Sequence, residues 1–241
     1  MTTYYVCYDA ISGAIITRYN SDINAGQIAS PPTGTQLLKV GKDEMAQTMS
    51  GRWTVINGTL TPPPAPTTAQ LLAQAQSAQS ALVTQGYNAA TDYVPVTING
   101  TAYQVDNTPG KQALNLSLAI TANAMLQSPV WAASTEYAAG AYCSVDGIIL
   151  FCSTGGKSGS SAPTPPTTFG TPVTDGTAAW ELLGRKVYLQ DGSYVLMTPQ
   201  QLTSAFQQGE LYLHQMSDQL ESLKVQINSA STVSAVQSVI W

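Results

Sequence analysis

The chain has 241 residues, with 9 Lys or Arg against 14 Asp or Glu and a net charge of −5. Charged residues make up 10%, far below the roughly 25% of an ordinary soluble domain, and no basic run is present, which argues against a nucleic-acid partner because phosphate neutralisation needs Lys and Arg. The single histidine, His214, excludes a His-rich metal centre and is the one base available to any Ser-His or Cys-His pair.

Residues 1–60 read as a small β module. Tyr4 to Tyr8 is aromatic and β-branched, Asp9-Ala10-Ile11-Ser12-Gly13 fits a type I turn with glycine at the left-handed position, and Ala14 to Tyr19 returns as a second strand. Leu37 to Val40 is a short strand candidate. Trp53 to Ile56, Asn57-Gly58 and Thr59-Leu60 form a hairpin pattern, since Asn-Gly tolerates the positive φ of a tight turn. Residues 61–66, Thr-Pro-Pro-Pro-Ala-Pro, follow as a stiff extended linker, because consecutive prolines lock φ and remove donors.

A helix is expected from Thr67 to Val83, opened by a Thr67/Gln70 capping box and carrying Leu71, Ala75, Ala78 and Leu82 on one face. A hairpin follows, Tyr93 to Ile98 and Thr101 to Val105 around Asn99-Gly100. A second helix starts at Thr108-Pro109, carries Leu114, Leu118, Ala122 and Met125 on one face, and stops near Ser128-Pro129. Helical periodicity then vanishes. Residues 129–184 are rich in aromatics, Gly, Pro and Thr, and predict a small three-stranded module with one long loop.

Helical logic resumes after a third hairpin around Asp191-Gly192. Thr198-Pro199-Gln200-Gln201 is another capping box, and the helix runs to about Ala230. Leu202, Phe206, Gly209, Leu213, Met216, Leu220, Leu223 and Ile227 repeat at alternating spacings of four and three, a heptad seam along a helix roughly 50 Å long. Such a seam needs another helix. The two earlier helices could supply it, or a second copy in a parallel coiled coil, or another protein. A short turn from Ser231-Thr232 leads to Ile240 and Trp241. The fold class is therefore α+β and modular. A discontinuous helix and hairpin domain, 67–128 plus 185–241, is interrupted by the 129–184 insert.

The start, Met1-Thr2-Thr3-Tyr4-Tyr5-Val6, has no basic n-region or long apolar core, so no signal peptide is expected. No apolar run is long enough for a membrane-spanning helix. Cys143 and Cys152 flank the Asp146-Gly147 turn; a two-residue turn sets Cys143 opposite Leu150 and makes Cys152 its diagonal neighbour, near the limit for a disulfide. Two buried free thiols are the alternative, and Cys7 on the first strand is a core candidate. No metal, phosphate-loop or nucleophile-elbow motif is present, so no metal, cofactor or catalytic residue is expected. The carboxylates that could serve glycoside cleavage, Asp175 with Glu181 or Asp106 with Asp191, lie near turns that turn chemistry already accounts for. His214 beside Leu213 fits a helix surface. The chain is not expected to be an enzyme.

Aromatics could still bind sugar, because the C–H faces of a pyranose stack on rings. The candidates are Trp131, Tyr137, Tyr142, Phe151 and Trp180. A module of this size also needs aromatics for a core, a role that suits Trp131 and Trp180 best, leaving Tyr137 and Tyr142 as the better contacts.

Two motif sets carry a resemblance. The first runs Val96-Thr97-Ile98-Asn99-Gly100-Thr101-Ala102-Tyr103-Gln104-Val105-Asp106, then Asp191-Gly192-Ser193-Tyr194-Val195-Leu196-Met197-Thr198, then Ile227-Asn228-Ser229-Ala230-Ser231-Thr232-Val233 with a closing Trp241. In this order it resembles an uncharacterised conserved domain of bacteriophage tail-fibre-type proteins. Tyr4 to Asp9 with Ser12-Gly13-Ala14-Ile15 looks like the N-terminal β module of such proteins. The second set, Trp131, Glu136-Tyr137, Gly140, Tyr142, Phe151-Cys152, Gly155, Ser158-Gly159, Pro163, Thr174 to Thr177 and Trp180, resembles a small aromatic module of phage tail and baseplate proteins, distantly similar to chitin-binding modules. Pro165 and Pro166 stand where such modules often carry an aromatic.

The resemblance implies a structural virion component of a tailed phage, in a tail fibre or at the fibre-to-tail junction, that takes part in host recognition. It would be made in the host cytoplasm and located in the virion tail, with the N-terminal module as the attachment end. The implied partners are other tail or fibre proteins, further copies of the chain (a trimer favoured) and a host cell-surface glycan, with no nucleic acid and no membrane insertion. A tail-fibre assembly chaperone and a free carbohydrate-binding module are the alternative expectations.

Overall fold

The structure is a computed structural model and describes residues 2–49 and 52–241. The chain is mixed α and β, with several small antiparallel sheets and a long C-terminal helix. It divides into two units, Met1–Gln70 and Leu71–Trp241.

In the first unit, β1 (Tyr4–Asp9) is the middle strand of a three-stranded antiparallel sheet, between β2 (Ile15–Asn20) and β3 (Thr35–Val40). The Asp9 carboxylate accepts from the backbone N–H groups of Ile11 and Ser12, and Gly13 takes φ +70°. A Cβ at Gly13 would run into the Val55 carbonyl, so only glycine fits. That close approach docks the hairpin β4 (Thr54–Ile56) and β5 (Thr59–Thr61), whose Asn57-Gly58 turn has both residues at positive φ. Two short helices, α1 (Ala25–Ala29) and α2 (Lys42–Thr48), add to the strands expected. The side chain of Arg18 on β2 donates to the Thr48 hydroxyl at 2.7 Å and to its carbonyl, fixing the end of α2. Residues 62–67 are exposed and without regular structure.

The second unit starts on α3 (Thr68–Thr91), capped by the reciprocal Thr67–Gln70 pair. The helix continues to Thr91, beyond the expected end at Val83. Its buried face is also one residue away from the expected one. Leu71 and Leu82 are exposed, while Leu72, Ala75 and Val83 join the core. Two glutamines occupy the inner face, which hydrophobic patterning does not register. The Gln76 amide donates to the Ile227 carbonyl at 3.2 Å, and the Gln79 amide to the Val239 carbonyl at 2.6 Å.

The hairpin β6 (Tyr93–Ile98) and β7 (Thr101–Asp106) leads to α4 (Pro109–Leu126). After the insert come β14 (Arg185–Tyr188), β15 (Tyr194–Met197), α5 (Pro199–Ser229) and α6 (Val233–Gln237). The Thr198 capping box with Pro199 at the first position opens α5, and its 31 residues span about 46 Å. The two ends of the α5 seam are taken up within the chain, while Phe206, Leu213 and Met216 in its middle stay half-buried. Leu202 and Ala205 enter a core with Val94, Val96, Val105, Ala122 and Met197; Leu220, Leu223 and Ile227 pack with Val83, Val236 and Val239. Gly209 lets α5 cross β6 closely, since an added Cβ would lie 3.2 Å from the Val94 methyl. The Gln208 amide bonds both backbone groups of Thr97, so a side chain covers this strand edge. No helix among the described residues is long and apolar enough to cross a membrane.

Trp241 closes this frame. Its ring lies edge-on to Tyr87 at 6.0 Å and sits against Gly86, where an added Cβ would be 2.5 Å from the indole Cγ. Alanine in a helix is favoured over glycine by about 1 kcal/mol. Gly86→Ala is nevertheless expected to destabilise the protein, because it displaces Trp241, and to stabilise it in a Trp241→Ala background. Urea melts of the two single variants and the double variant check this reversal of sign.

Candidate functional site

The insert holds β8 (Glu136–Tyr137), β9 (Tyr142–Val145), β10 (Ile148–Thr154), β11 (Gly156–Lys157), β12 (Val173–Asp175) and β13 (Ala178–Leu182). Four of these strands form one antiparallel sheet in the order β12-β13-β10-β9, and β8 pairs with β11. The expected three strands were too few because β8, β11 and β12 are only two or three residues long.

The two faces of the sheet have separate roles. Inward lie Cys143, Val145, Leu150, Cys152, Ala178 and Trp180, all buried, with Trp131 and Tyr137 packed against them. The buried Asp175 carboxylate ties this side together. One oxygen accepts from the Trp131 indole at 2.8 Å and from the Trp180 indole at 3.0 Å, and the other accepts from the Gly159 N–H at 2.7 Å. Ser158 secures the neighbouring loop, donating to the Ala132 carbonyl and accepting from the Thr135 N–H. The Tyr137 ring meets Trp180 edge-on at 4.8 Å, and its hydroxyl accepts from the Ala132 N–H. Of the five aromatic candidates, Trp131, Tyr137 and Trp180 therefore serve the inner core. Tyr137, expected as a contact residue, is engaged at both its ring and its hydroxyl.

Tyr142 and Phe151 lie on the opposite face. Ladder pairing sets Tyr142 opposite Phe151 and Phe151 opposite Glu181, so the three form a row across β9, β10 and β13. The two rings are tilted at 46° with centroids 5.9 Å apart. This face also buries Ile149 and Leu183 against Met125 of α4. Beside the row is an open cleft of about 300 Å³, completed by Phe169, Gly184 and Arg185. An added Cβ at Gly184 would be 2.6 Å from the Phe169 ring, so this glycine admits the ring. Phe169 comes from the proline-rich loop and Arg185 from the frame, and sequence reasoning singled out neither. The signal available for Phe169 was its place just after Pro165-Pro166, where an aromatic was sought.

A larger groove of about 650 Å³ lies between α4, α5 and the β6–β7 hairpin. Its lining is mainly apolar, including Leu116, Leu202, Phe206 and Leu213. His214 is at its rim, 3.9 Å from Glu210 and well exposed. The carboxylates weighed as pairs do not converge. Asp175 faces the inner core while Glu181 belongs to the outer row; Asp106 accepts from Thr108 and Asp191 from Ser193. Among the described residues no cluster of three His, Cys, Asp or Glu could hold a metal.

All three cysteines are free and buried. Burial, with Cys152 and Asp175 adding to it, pushes the Cys143 thiol up to about 12 from an ordinary 9.0. Burial also raises Cys152. The folded protein is expected to resist iodoacetamide at pH 8 and to become reactive only on unfolding. Above pH 9 the unfolded chain releases thiol protons that the folded chain retains. Stability is thus fully present below pH 9 and falls as pH rises toward 12. Cys143→Ala should flatten that decline in pH-dependent melts.

No protein-family model, curated protein or solved structure matches the chain.

Proposed function

We propose that this chain is a structural component of a tailed-phage virion, in a tail fibre or at the fibre-to-tail junction, that takes part in host attachment. Its modular plan would be an N-terminal β module for attachment, a Pro-rich linker, a discontinuous helix and hairpin frame, and the aromatic insert as the displayed part. The reading rests on the resemblance of the hairpin, helix and closing-Trp motifs to tail-fibre-type proteins. The observation that supports it is the division of the insert into a self-contained aromatic core and an outer cleft lined by Tyr142, Phe151 and Phe169. A display module needs both, one to hold its shape and one to meet a ligand. Mass spectrometry of extensively washed particles tests it: the chain is expected among the virion proteins, and its absence would defeat the reading.

Homo-oligomerisation, with a trimer favoured, belongs to the same proposal. Leu202 and Ile227 at the two ends of the seam are fully buried inside one chain, so copies would meet through its half-buried middle, where Phe206 and Leu213 line the open groove, or through other surfaces. Light scattering after size exclusion is expected to give three times 25.4 kDa; a mass of one chain removes the trimer. The burial of the seam's two ends within one chain also favours a second reading, a tail-fibre assembly chaperone that acts as a single chain and leaves. That reading expects a complex with unassembled fibre and no chain in mature particles.

A further inference from the structure

The outer cleft of the insert holds a charge that the chain does not neutralise. Arg185 lines it, half-buried, and its Nε is shielded from solvent without a hydrogen-bond partner. Burying such a donor unpaired costs free energy, and because Nε itself is closed to solvent, a ligand in the cleft meets the guanidinium at its terminal amino groups. The guanidinium enters no ion pair; the one basic-to-acidic side-chain contact within 4.0 Å among the described residues is His214 with Glu210 on α5, an ion pair only when the imidazole is protonated. Glu181 lines the same cleft without pairing to Arg185.

The surroundings narrow the ligand class. Tyr142, Phe151 and Phe169 give ring surface, and Glu181 is an acceptor beside it. Rings take the C–H face of a pyranose, a carboxylate takes its hydroxyls, and a planar guanidinium pairs best with a planar carboxylate through parallel hydrogen bonds. About 300 Å³ is at the small end for ligand pockets, room for one or two sugar rings. The geometry points to an acidic sugar: we infer that the cleft binds a uronic-acid unit of a surface polysaccharide, with its carboxylate on Arg185 and its ring on the aromatic row. This inference rests on the host-attachment reading and names the chemistry of the glycan.

The test uses the full chain and two probes of equal length and shape, tetragalacturonate and its methyl ester, in which the carboxylates are neutral. Binding is followed by amide chemical shifts in NMR titrations. The acid is expected to shift residues around Tyr142, Phe151 and Arg185, and the ester to bind at least about tenfold more weakly, the factor that one charge-assisted pair supplies. Arg185→Gln should erase the difference between acid and ester, and Arg185→Lys should keep part of it. Phe169→Ala weakens both probes alike, and thermal melts of each variant verify folding. Equal binding of acid and ester, an Arg185→Gln variant that still discriminates, shifts confined to another surface, or no binding of either probe would each overturn the inference. None of these touches the attachment reading, which stands or falls on the presence of the chain in washed particles.

Discussion

Asp175→Ala is expected to lower the stability of the insert by about 4 kcal/mol. The carboxylate serves three donors, the indoles of Trp131 and Trp180 and the Gly159 N–H. Alanine leaves all three unpaired, one of them on a tryptophan with no exposed surface. Hydrogen bonds to a charged acceptor contribute about 1.5–3 kcal/mol each, and orphaned buried donors add a desolvation cost. Asp175→Asn separates charge from shape. Its carbonyl oxygen can still accept from both indoles, but its amide then meets the Gly159 N–H, donor against donor. About half the loss is expected, roughly 2 kcal/mol. Tryptophan fluorescence during urea unfolding reads both variants, and an alanine variant as stable as the parent would refute the bridge.

Ile227→Ala is expected to cost about 3–4 kcal/mol, typical of a large aliphatic side chain removed from a packed site. Ile227 has no exposed surface and packs with Val83, Val236 and Val239, joining α5 to α3 and α6. Leu211 on the same helix is 65% exposed, and Leu211→Ala should change stability by less than about 0.5 kcal/mol. The oligomeric mass separates this account from a coiled coil between chains. A core residue within one chain alters the melt and leaves the mass unchanged; a seam residue between chains alters both.

The turns were legible because their geometry demands particular residues. Asn57-Gly58, Asn99-Gly100 and Asp146-Gly147 all adopt positive φ at both positions, a conformation that most side chains resist. The caps of α3 and α5 were legible for a similar reason: a side chain must satisfy free N–H groups at a fixed spacing. The face of α3 was not, because Gln76 and Gln79 point inward to reach carbonyls at the far end of the chain. The short helix α2 escaped because glycine is its N-cap, although Glu44 reaching back to the Gly41 N–H was a usable signal. At the candidate site, Tyr142 and Phe151 were visible as neighbours on a hairpin. Phe169 and Arg185 reach the cleft through tertiary folding, which a linear pattern does not encode.

The bonds from Gln76 to Ile227 and from Gln79 to Val239 close loops of 151 and 160 residues, and residues 129–184 lie inside both. Loop-closure entropy grows only logarithmically with length, so those residues add about 0.4 kcal/mol to the closure even if they count as loose chain, and less once they have folded on their own core. The closure itself is therefore almost indifferent to the length it spans, and what ties the insert to the frame is side-chain packing, Ile149 and Leu183 against Met125 of α4. A lineage could lengthen or exchange the cassette at little entropic cost, provided the replacement again covers Met125. The inner core of the insert and the stability of the frame could then evolve on separate clocks, coupled only through that contact.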